Sequence, residues 1–429
     1  MKILLKGLTL INPEQKLHEE ADLFIENGII NEIGKDLEVK NAEVFEFYNK
    51  YCTPGFFDMH VHLREPGRED EETIKTGLDS AAAGGFTGVA CMPNTSPPID
   101  SAEVVRFIKD KGKSHLVDVY PIAAATLGRK GENLSPMAEL YDSGALAFSD
   151  DGVAIKTSEI LRSILEYSQM FGIPVIDHCE DPSLSHGVIN EGITSTKLGL
   201  PPLPSVSEDI IVARDLLMAE YTDGRVHIAH ISTKKSVDLV REAKKKQIKI
   251  TTEVTPHHFT LSEESLRNYD TNFKMSPPLR TKSDIEAIIE GLKDGTIDCI
   301  ASDHAPHAIE EKEMEFIYAP NGIIGLETQI GLIITELIQK KHLTLDQTVE
   351  KLSINPRKIL NLSIPRIEKG KKANLTIFDT ETLWTVDVSK FKSKSKNSPF
   401  DKRLLNGKSV SVINKQIMYF EDQYIDLTS

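Results

Sequence analysis

Histidine and aspartate side chains stand at the ends of several short apolar runs of the sequence. His60 and His62 close the first run with one residue between them, so in a strand both would face the same side. Imidazoles and carboxylates are ligands of zinc and similar divalent ions, which assist hydrolysis of substrate bonds. The later runs end at or lead into Asp150-Asp151, Asp177-His178, His230 and Asp303-His304. A metal-dependent hydrolytic site is therefore predicted.

Eight short apolar runs predict the strands that would bring these side chains together. Their β-branched content and lack of in–out alternation indicate buried parallel strands, and amphipathic helical patterns separate most of them. Eight strand–helix units predict an α/β fold, a (β/α)₈ TIM barrel, in which catalytic residues lie at the carboxyl ends of the strands. The runs are 55–62, 86–92, 117–123, 145–148, 174–177, 226–230, 248–253 and 297–301.

The two ends of the chain have a different pattern. Residues 1–52 and 365–429 contain short strand-like runs separated by turns such as Asn27-Gly28 and Asn406-Gly407. We expect them to pair as one small β-sandwich-like domain beside a catalytic barrel formed by residues 53–364. The acidic stretch 69–72 is predicted as a solvated helix start, and the lysine-rich stretch 389–397 as a charged loop without function.

Composition excludes several classes of function. The 429 residues carry a net charge of -15 with scattered cations, which argues against nucleic-acid binding. The four cysteines lie in apolar runs without paired spacing, as expected for reduced thiols in the cytosol. No run approaches the roughly 20 apolar residues of a membrane span, and no signal peptide is evident. We therefore expect a cytoplasmic protein that acts on a small molecule.

Several motifs resemble one known family. The stretch 54–64, Pro-Gly-Phe-Phe-Asp-Met-His-Val-His-Leu-Arg, resembles the opening signature of the amidohydrolase superfamily. Its continuation Glu-Pro-Gly at 65–67 resembles dihydroorotases of the long, bacterial type I class. The blocks Met-Pro-Asn-Thr at 92–95 and Asp-His-Ala-Pro-His at 303–307 are the most discriminating, and the resemblance covers essentially the whole chain. Further blocks match in order at 148–152, 177–181, 325–328 and 355–356.

The resemblance implies two zinc ions and a reaction. His60, His62 and Asp303 would bind one ion, His178 and His230 the second, and Asp151 would bridge them in place of the carbamylated lysine of many relatives. The implied reaction is the reversible hydrolysis of (S)-dihydroorotate to N-carbamoyl-L-aspartate in pyrimidine biosynthesis. A metal-bound hydroxide would be the nucleophile, with Asp303 as the general acid and base.

The resemblance also assigns the recognition of the substrate. A guanidinium group suits a carboxylate, and the family uses the arginine matching Arg64 together with an asparagine and a histidine. Two positions depart from the family pattern, because Ser276 replaces an asparagine and Asn321 precedes Gly322 where an aromatic or apolar residue is common. Both departures concern recognition of the ring. The implied substrate-binding residues are His62, Arg64, Asn94, Ser276, His307, Asn321 and Gly322.

Two alternatives remain open from the sequence. A hydantoinase or allantoinase would generally need a carbamylated lysine bridge, for which Lys156 is the nearest candidate. A non-catalytic partner of aspartate transcarbamoylase would have lost metal ligands, whereas every expected ligand is present here. Active members of the family can also associate with that enzyme, and we expect this chain to form a homodimer.

Overall fold

Eight parallel strand positions form the barrel in the computed structural model, which describes residues 1–266 and 268–428. The strands pair in chain order, and Val61 pairs with His304 to close the ring. The third strand is interrupted at Ile122. The predicted (β/α)₈ barrel is confirmed, with a strand that overlaps each predicted run. The strands are Phe56–Val61, Phe86–Cys91, Asp118–Pro121 with Ala123–Ala124, Phe148–Ser149, Val175–Asp177, Val226–Ile228, Ile250–Val254 and Cys299–Ile300.

Helices follow the barrel strands and bury one face against them. In Ser158–Ser168 the buried residues Leu161, Ile164 and Leu165 have the three- and four-residue spacing of one helical stripe. Within the described ranges, no helix is long and apolar enough to span a membrane. The other helical segments are Ile74–Gly84, Ala102–Gly112, Met137–Ser143, Ile193–Leu198, Val206–Thr222, Lys234–Lys245, Pro256–Thr260, Lys282–Asp294, Ile309–Lys312, Gln329–Ile333, Ile334–Ile338, Leu345–Val349, Glu350–Ile354 and Asn355–Ile359.

The two ends of the chain pair with each other in a separate sheet of eight strands. All neighbouring strands are antiparallel except Lys2–Asn12 and Glu43–Pro54, which are parallel. Leu5, Leu8 and Ile377 are fully buried in its own apolar core. The prediction that both ends build one small β domain is confirmed. In sheet order the strands are Gln423–Asp426, Ile417–Phe420, Leu404–Asn414, Leu375–Thr385, Glu43–Pro54, Lys2–Asn12, Leu17–Glu26 and Ile29–Gly34.

Hydrogen bonds fasten this sheet to the amino ends of the first two barrel strands. The backbone N–H of Gly55 donates to the carbonyl of Asn374 over 2.9 Å. The hydroxyl of Thr376 accepts from the N–H of Phe56 at 2.9 Å and donates to the carbonyl of Gly85 at 2.7 Å. Buried backbone groups need such partners, so the small domain satisfies groups that the barrel leaves unpaired.

The prediction for the acidic stretch 69–72 is wrong, whereas most of the stretch 389–397 is the predicted loop. Glu71 and Glu72 are 2% and 0% exposed, and the helix begins later, at Ile74, with Thr73 as its N-cap. In the 389–397 stretch, Ser393, Ser395 and Asn397 are buried while lysines between them face solvent. Both segments therefore contribute polar side chains to the interior of the protein, where each needs a partner.

Replacing Thr376 with valine tests the junction between the sheet and the barrel. The change keeps the shape of the side chain but leaves the N–H of Phe56 without an acceptor, so we expect unfolding free energy to fall by about 1–3 kcal/mol. Urea unfolding is the measurement. Thr385→Val, an exposed position on the same strand, is the matched control, and equal stability of the two variants would contradict the prediction.

Candidate metal centre and substrate cavity

Six buried side chains meet at the carboxyl end of the barrel. His60 belongs to the first strand, and the other five residues follow within three residues of the ends of the first, fourth, fifth, sixth and eighth strands. Parallel strands of a barrel all end at the same face, which brings residues distant in the sequence together. The six are those predicted as ligands: His60, His62, Asp151, His178, His230 and Asp303.

His60, His62 and Asp303 form the first ligand group. The Nε2 atom of His62 lies 2.9 Å from Oδ1 of Asp303, and Nε2 of His60 lies 3.6 Å from the same oxygen. One nitrogen or oxygen atom from each residue lies within 4.8 Å of the others. Two imidazoles and a carboxylate at this spacing are suited to hold one divalent ion.

Asp151 connects the first group to a second one. Its Oδ1 atom lies 3.4 Å from Nε2 of His60 and 3.8 Å from Nε2 of His230. Nδ1 of His178 lies 3.0 Å from Nε2 of His230 and 3.9 Å from Oδ1 of Asp151. Asp151 is therefore placed between two histidine pairs, as a bridging carboxylate must be.

Unpaired buried atoms indicate that these residues fit a metal. Nε2 of His60 and Oδ1 of Asp151 are buried and have no hydrogen-bond partner among the described residues. Buried polar atoms almost always have a partner, because desolvation without one is costly. A divalent ion between these two atoms would satisfy both.

The outer nitrogen of each of three histidines contacts an acceptor behind it. Such contacts fix the ring orientation and leave the inner nitrogen free to face an ion. Glu253, Asn94 and Glu180 supply the acceptors, and all are close enough for a hydrogen bond. The distances are 2.6 Å from His60 Nδ1 to Glu253 Oε1, 2.7 Å from His62 Nδ1 to Asn94 Oδ1, and 2.8 Å from His178 Nε2 to Glu180 Oε2.

The surrounding histidines keep the two aspartates ionised. Burial alone would raise the pKa of Asp303, but the hydrogen bond from His62 and the charge of His60 hold that pKa below its ordinary value. The pKa of Asp151 is likewise held well below its ordinary value, with His60 and His230 opposing the effect of burial. Both carboxylates are thus available at neutral pH as ligands or bases.

Three residues of the site have backbone angles that side chains rarely adopt. The φ angles are 62° for Arg64, 30° for His230 and 46° for Asp303, all in the left-handed region. Each such residue costs of order 1–3 kcal/mol, and strain of this kind concentrates at functional sites. The chain therefore bends away from the strand direction where these side chains border the cavity.

A cavity of about 420 Å³ opens beside the six predicted ligands. Ligand pockets in proteins are concave and contain a few polar groups that orient the bound molecule. The structure brings all seven residues predicted to bind substrate to the lining of this one cavity. They are His62, Arg64, Asn94, Ser276, His307, Asn321 and Gly322.

Arg64 and His307 form a polar cluster on one wall of the cavity. The carboxylate of Glu71 lies between them, 3.0 Å from Nε of Arg64 and 3.0 Å from Nδ1 of His307. Burial and the charges of Arg64 and Lys312 lower the pKa of His307 to about 3, so the imidazole is neutral. Arg64 is thus the positive charge of this wall, with its orientation set by Glu71.

Sequence reasoning missed four polar residues of the site. Glu71 and Glu253 carry no local signal, because their partners lie far away in the sequence. Glu180 stands two residues after His178, and that spacing was an available signal. Arg129 lines the cavity and donates from Nη2 to the backbone carbonyl of Asp151 over 2.6 Å.

Two observations bear on residues whose role was open. The hydroxyl of Ser276 donates to the carboxylate of Glu180, and its side chain also lines the cavity. The side chain of Lys156 is 55% exposed, and its Nζ lies 3.6 Å from Glu132. Lys156 does not reach the ligand cluster, so an aspartate and not a carbamylated lysine stands between the two histidine pairs.

Glu253→Gln tests the support behind His60. The change removes the negative charge that holds Nδ1 of His60, and loss of such an outer contact weakens metal affinity by about 10- to 100-fold. Zinc affinity, measured by competition with a chromophoric chelator, is the readout. Glu242→Gln, which changes an exposed glutamate, is the control. Similar affinities in the two variants would contradict the role of Glu253.

Metal binding should become tighter as the pH rises toward about 9. Burial lowers the pKa of His178, but the hydrogen bond and charge of Glu180 raise it, with a net value of about 9 in the metal-free protein. Below that pH an ion must displace a proton from the ring, which weakens binding. Chelator competition at several pH values measures this, and Glu180→Gln should move the dependence to lower pH. A flat profile in both proteins would contradict it.

Comparisons with known proteins identify the family of this chain. A family model described as "Dihydro-orotase-like" matches residues 49–236. A dihydroorotase of Acetivibrio thermocellus is 50% identical over 407 residues, covering 94% of this chain and 96% of the relative. A dihydroorotase of Thermoanaerobacter sp. is 47% identical over 426 residues, covering 99% and 98%.

Solved structures show the same fold at lower identity. An L-hydantoinase (dihydropyrimidinase) from Arthrobacter aurescens superimposes with a TM-score of 0.87 at 23% identity, covering 98% of this chain and 96% of that one. A dihydropyrimidinase from Brevibacillus agri gives a TM-score of 0.84 at 21% identity, covering 100% and 97%. These neighbours share the barrel with its small domain, whereas the sequence relatives share half of the residues. The chain belongs to the dihydroorotase family.

Proposed function

We propose that the chain catalyses the reversible hydrolysis of (S)-dihydroorotate to N-carbamoyl-L-aspartate, a step of pyrimidine biosynthesis. The observation that carries this proposal is the pairing of two features in one cavity. The metal-ligand cluster borders the same space as Arg64 and His307, so an amide and a carboxylate of one small molecule can be bound together. The identity of 46–50% with dihydroorotases over nearly the whole chain supports the choice of substrate.

We assign two zinc ions to the six buried ligands. His60, His62 and Asp303 would hold one ion, His178 and His230 the other, and Asp151 would contact both. When bound, the ions supply Lewis acidity that lowers the pKa of a water molecule and polarises the amide carbonyl. The protein contributes the fixed positions of these ligands and the acceptors that support their rings.

Arg64 and His307 are proposed to orient the substrate through its carboxylate. A guanidinium group forms strong charge-assisted hydrogen bonds with a carboxylate, and Glu71 keeps Arg64 directed along this wall. The amide of Asn94 adds a hydrogen-bonding group without adding charge, and His307, whose Nε2 lies 2.8 Å from the carbonyl of Asn321, stands beside Arg64 on the same wall. Ser276, Asn321 and Gly322 would border the ring from the remaining side of the cavity. This arrangement presents the ring amide to the ligand cluster.

Asp303 is the proposed proton carrier. Its pKa is held low, so at neutral pH the carboxylate accepts a proton from the attacking water as the oxygen–carbon bond forms. The ring carbon–nitrogen bond then breaks, and Asp303 returns the proton to the departing nitrogen. In the reverse direction, the ureido nitrogen attacks the carboxyl carbon and water leaves. Asp303 ends each cycle in its ionised form.

An assay of the zinc-loaded protein tests the function. We expect hydrolysis of dihydroorotate and cyclisation of carbamoyl aspartate, with hydantoin and allantoin as control substrates. Asp303→Asn should lower kcat by about 10²- to 10⁴-fold, because it removes the proton carrier. Asp36→Asn, at an exposed position with no contact to the site, should retain full activity.

Other outcomes of the assay would point elsewhere. Turnover of hydantoin or allantoin alone would contradict the proposed substrate and favour another cyclic amidase. Inactivity on every ring, with zinc bound, would favour the non-catalytic partner of aspartate transcarbamoylase. Measuring the zinc content of Asp303→Asn separates loss of the proton carrier from loss of the metal, since Asp303 serves in both roles.

Three expectations from the sequence analysis stay predictions. They are a homodimer, an association with aspartate transcarbamoylase and a cytoplasmic location. Light scattering of the purified chain measures the first. Co-purification with aspartate transcarbamoylase from the same organism, and fractionation of its cells, measure the other two.

A further inference from the structure

The connection between two strands of the small sheet reaches across to the catalytic end of the barrel. Strands Leu375–Thr385 and Leu404–Asn414 pair as neighbours, yet residues 386–403 separate them. Loops longer than about 12–15 residues are uncommon in compact domains and are usually functional. We call residues 391–400 the strap, because this part of the connection crosses the loops that follow the barrel strands.

Alternate residues of the strap face the protein interior. Ser393, Ser395 and Asn397 are 1%, 6% and 5% exposed, whereas Lys394 and Lys396 between them are exposed. This is the two-residue period of an extended chain with one face against the protein. The buried face of the strap is polar, so its hydrogen bonds decide what it contacts.

The serines of the strap bind the acidic segment behind Arg64. The hydroxyl of Ser395 donates to the backbone carbonyl of Glu71 over 2.7 Å. The hydroxyl of Ser393 and the backbone N–H of Lys394 both donate to the carboxylate of Glu72. Since the carboxylate of Glu71 contacts Arg64, the strap supports the segment that orients this guanidinium.

Asn397 joins the two loops that form the wall of the substrate cavity. Its Nδ2 donates to the carbonyl of Ala305 at 2.9 Å and to that of Gly322 at 3.1 Å. Its Oδ1 accepts from the N–H of His307 at 3.2 Å, and its own carbonyl accepts from the N–H of Ile324 at 3.0 Å. One buried amide thus uses both its donor and its acceptor groups on backbone beside the cavity.

We infer that Asn397 is a positioning residue for substrate recognition, and that the strap sets the geometry of the carboxylate-binding wall. Asn397 does not line the cavity, so it acts through the backbone of His307 and Gly322. The hydrogen bonds of Asn397 reach backbone groups on the loops beyond Asp303 and not the predicted metal ligands themselves. The identity of the substrate rests on the proposed function, whereas the hydrogen bonds of Asn397 do not.

Kinetics of Asn397 variants provide the first test. Asn397→Ala removes three side-chain hydrogen bonds, and we expect KM for dihydroorotate to rise by about tenfold with kcat within about threefold of the parent. Asn397→Ser keeps one short hydrogen-bonding group and should give an intermediate KM, which guards against misfolding of the alanine variant. Lys390→Ala, at an exposed position just before the strap, should leave KM unchanged.

Zinc content and thermal unfolding of each variant accompany the kinetics. Folded, zinc-loaded Asn397→Ala and Asn397→Ser proteins with the parent's KM would overturn the inference. A matched loss of kcat and zinc in both variants would also overturn it, because Asn397 would then support the metal centre or the fold as a whole.

Hydrogen exchange provides a second test that does not need turnover. In Asn397→Ala we expect peptides covering 305–308 and 321–325 to exchange about tenfold faster, with the peptide covering 59–63 unchanged. If the variant exchanges faster but the parent does not hydrolyse dihydroorotate, the positioning role stands and the proposed substrate is rejected. Unchanged exchange at both loops would reject the positioning role, whatever the activity.

Discussion

The desolvated charge at the carboxyl end of the barrel is the constraint on which the site depends. Four imidazoles and two carboxylates are buried there, and isolated buried charges are too costly to persist without partners. The protein meets this cost with acceptors such as Glu253 and Glu180 behind the histidines. Two inner atoms, Nε2 of His60 and Oδ1 of Asp151, have no hydrogen-bond partner among the described residues, and a metal would bind both.

The backbone is strained at two of the predicted ligands, His230 and Asp303, and neighbouring hydrogen bonds stabilise the conformation at Asp303. Asp303 has a φ of 46°, while Ser302 before it donates its N–H to Asp58 at 2.9 Å. The carbonyl of His304 accepts from the N–H of His62 at 2.9 Å, which closes the ring of strands. Each of these contacts ties the loop of Asp303 to the first strand, so the strained conformation is determined by more than one interaction.

The small domain contributes to both ends of the barrel. At the amino ends of the strands, Thr376 satisfies the backbone of Phe56 and Gly85. At the carboxyl ends, the strap places Asn397 between the loops of His307 and Gly322. Hydrogen bonds of the strap therefore connect the small sheet to the wall that is proposed to bind the substrate carboxylate.

Local strand periodicity and the common carboxyl face of parallel strands predict the barrel, the small β domain and the clustering of histidines and aspartates, and the family resemblance selects the six predicted ligands. The partners that support these residues depend on the three-dimensional fold. Glu253 contacts His60 across 193 residues, and Glu71 contacts His307 across 236. By composition alone, the acidic stretch 69–72 and the lysine-rich stretch 389–397 resemble solvated segments. Whether a polar side chain is buried depends on partners elsewhere in the fold, which no local pattern contains.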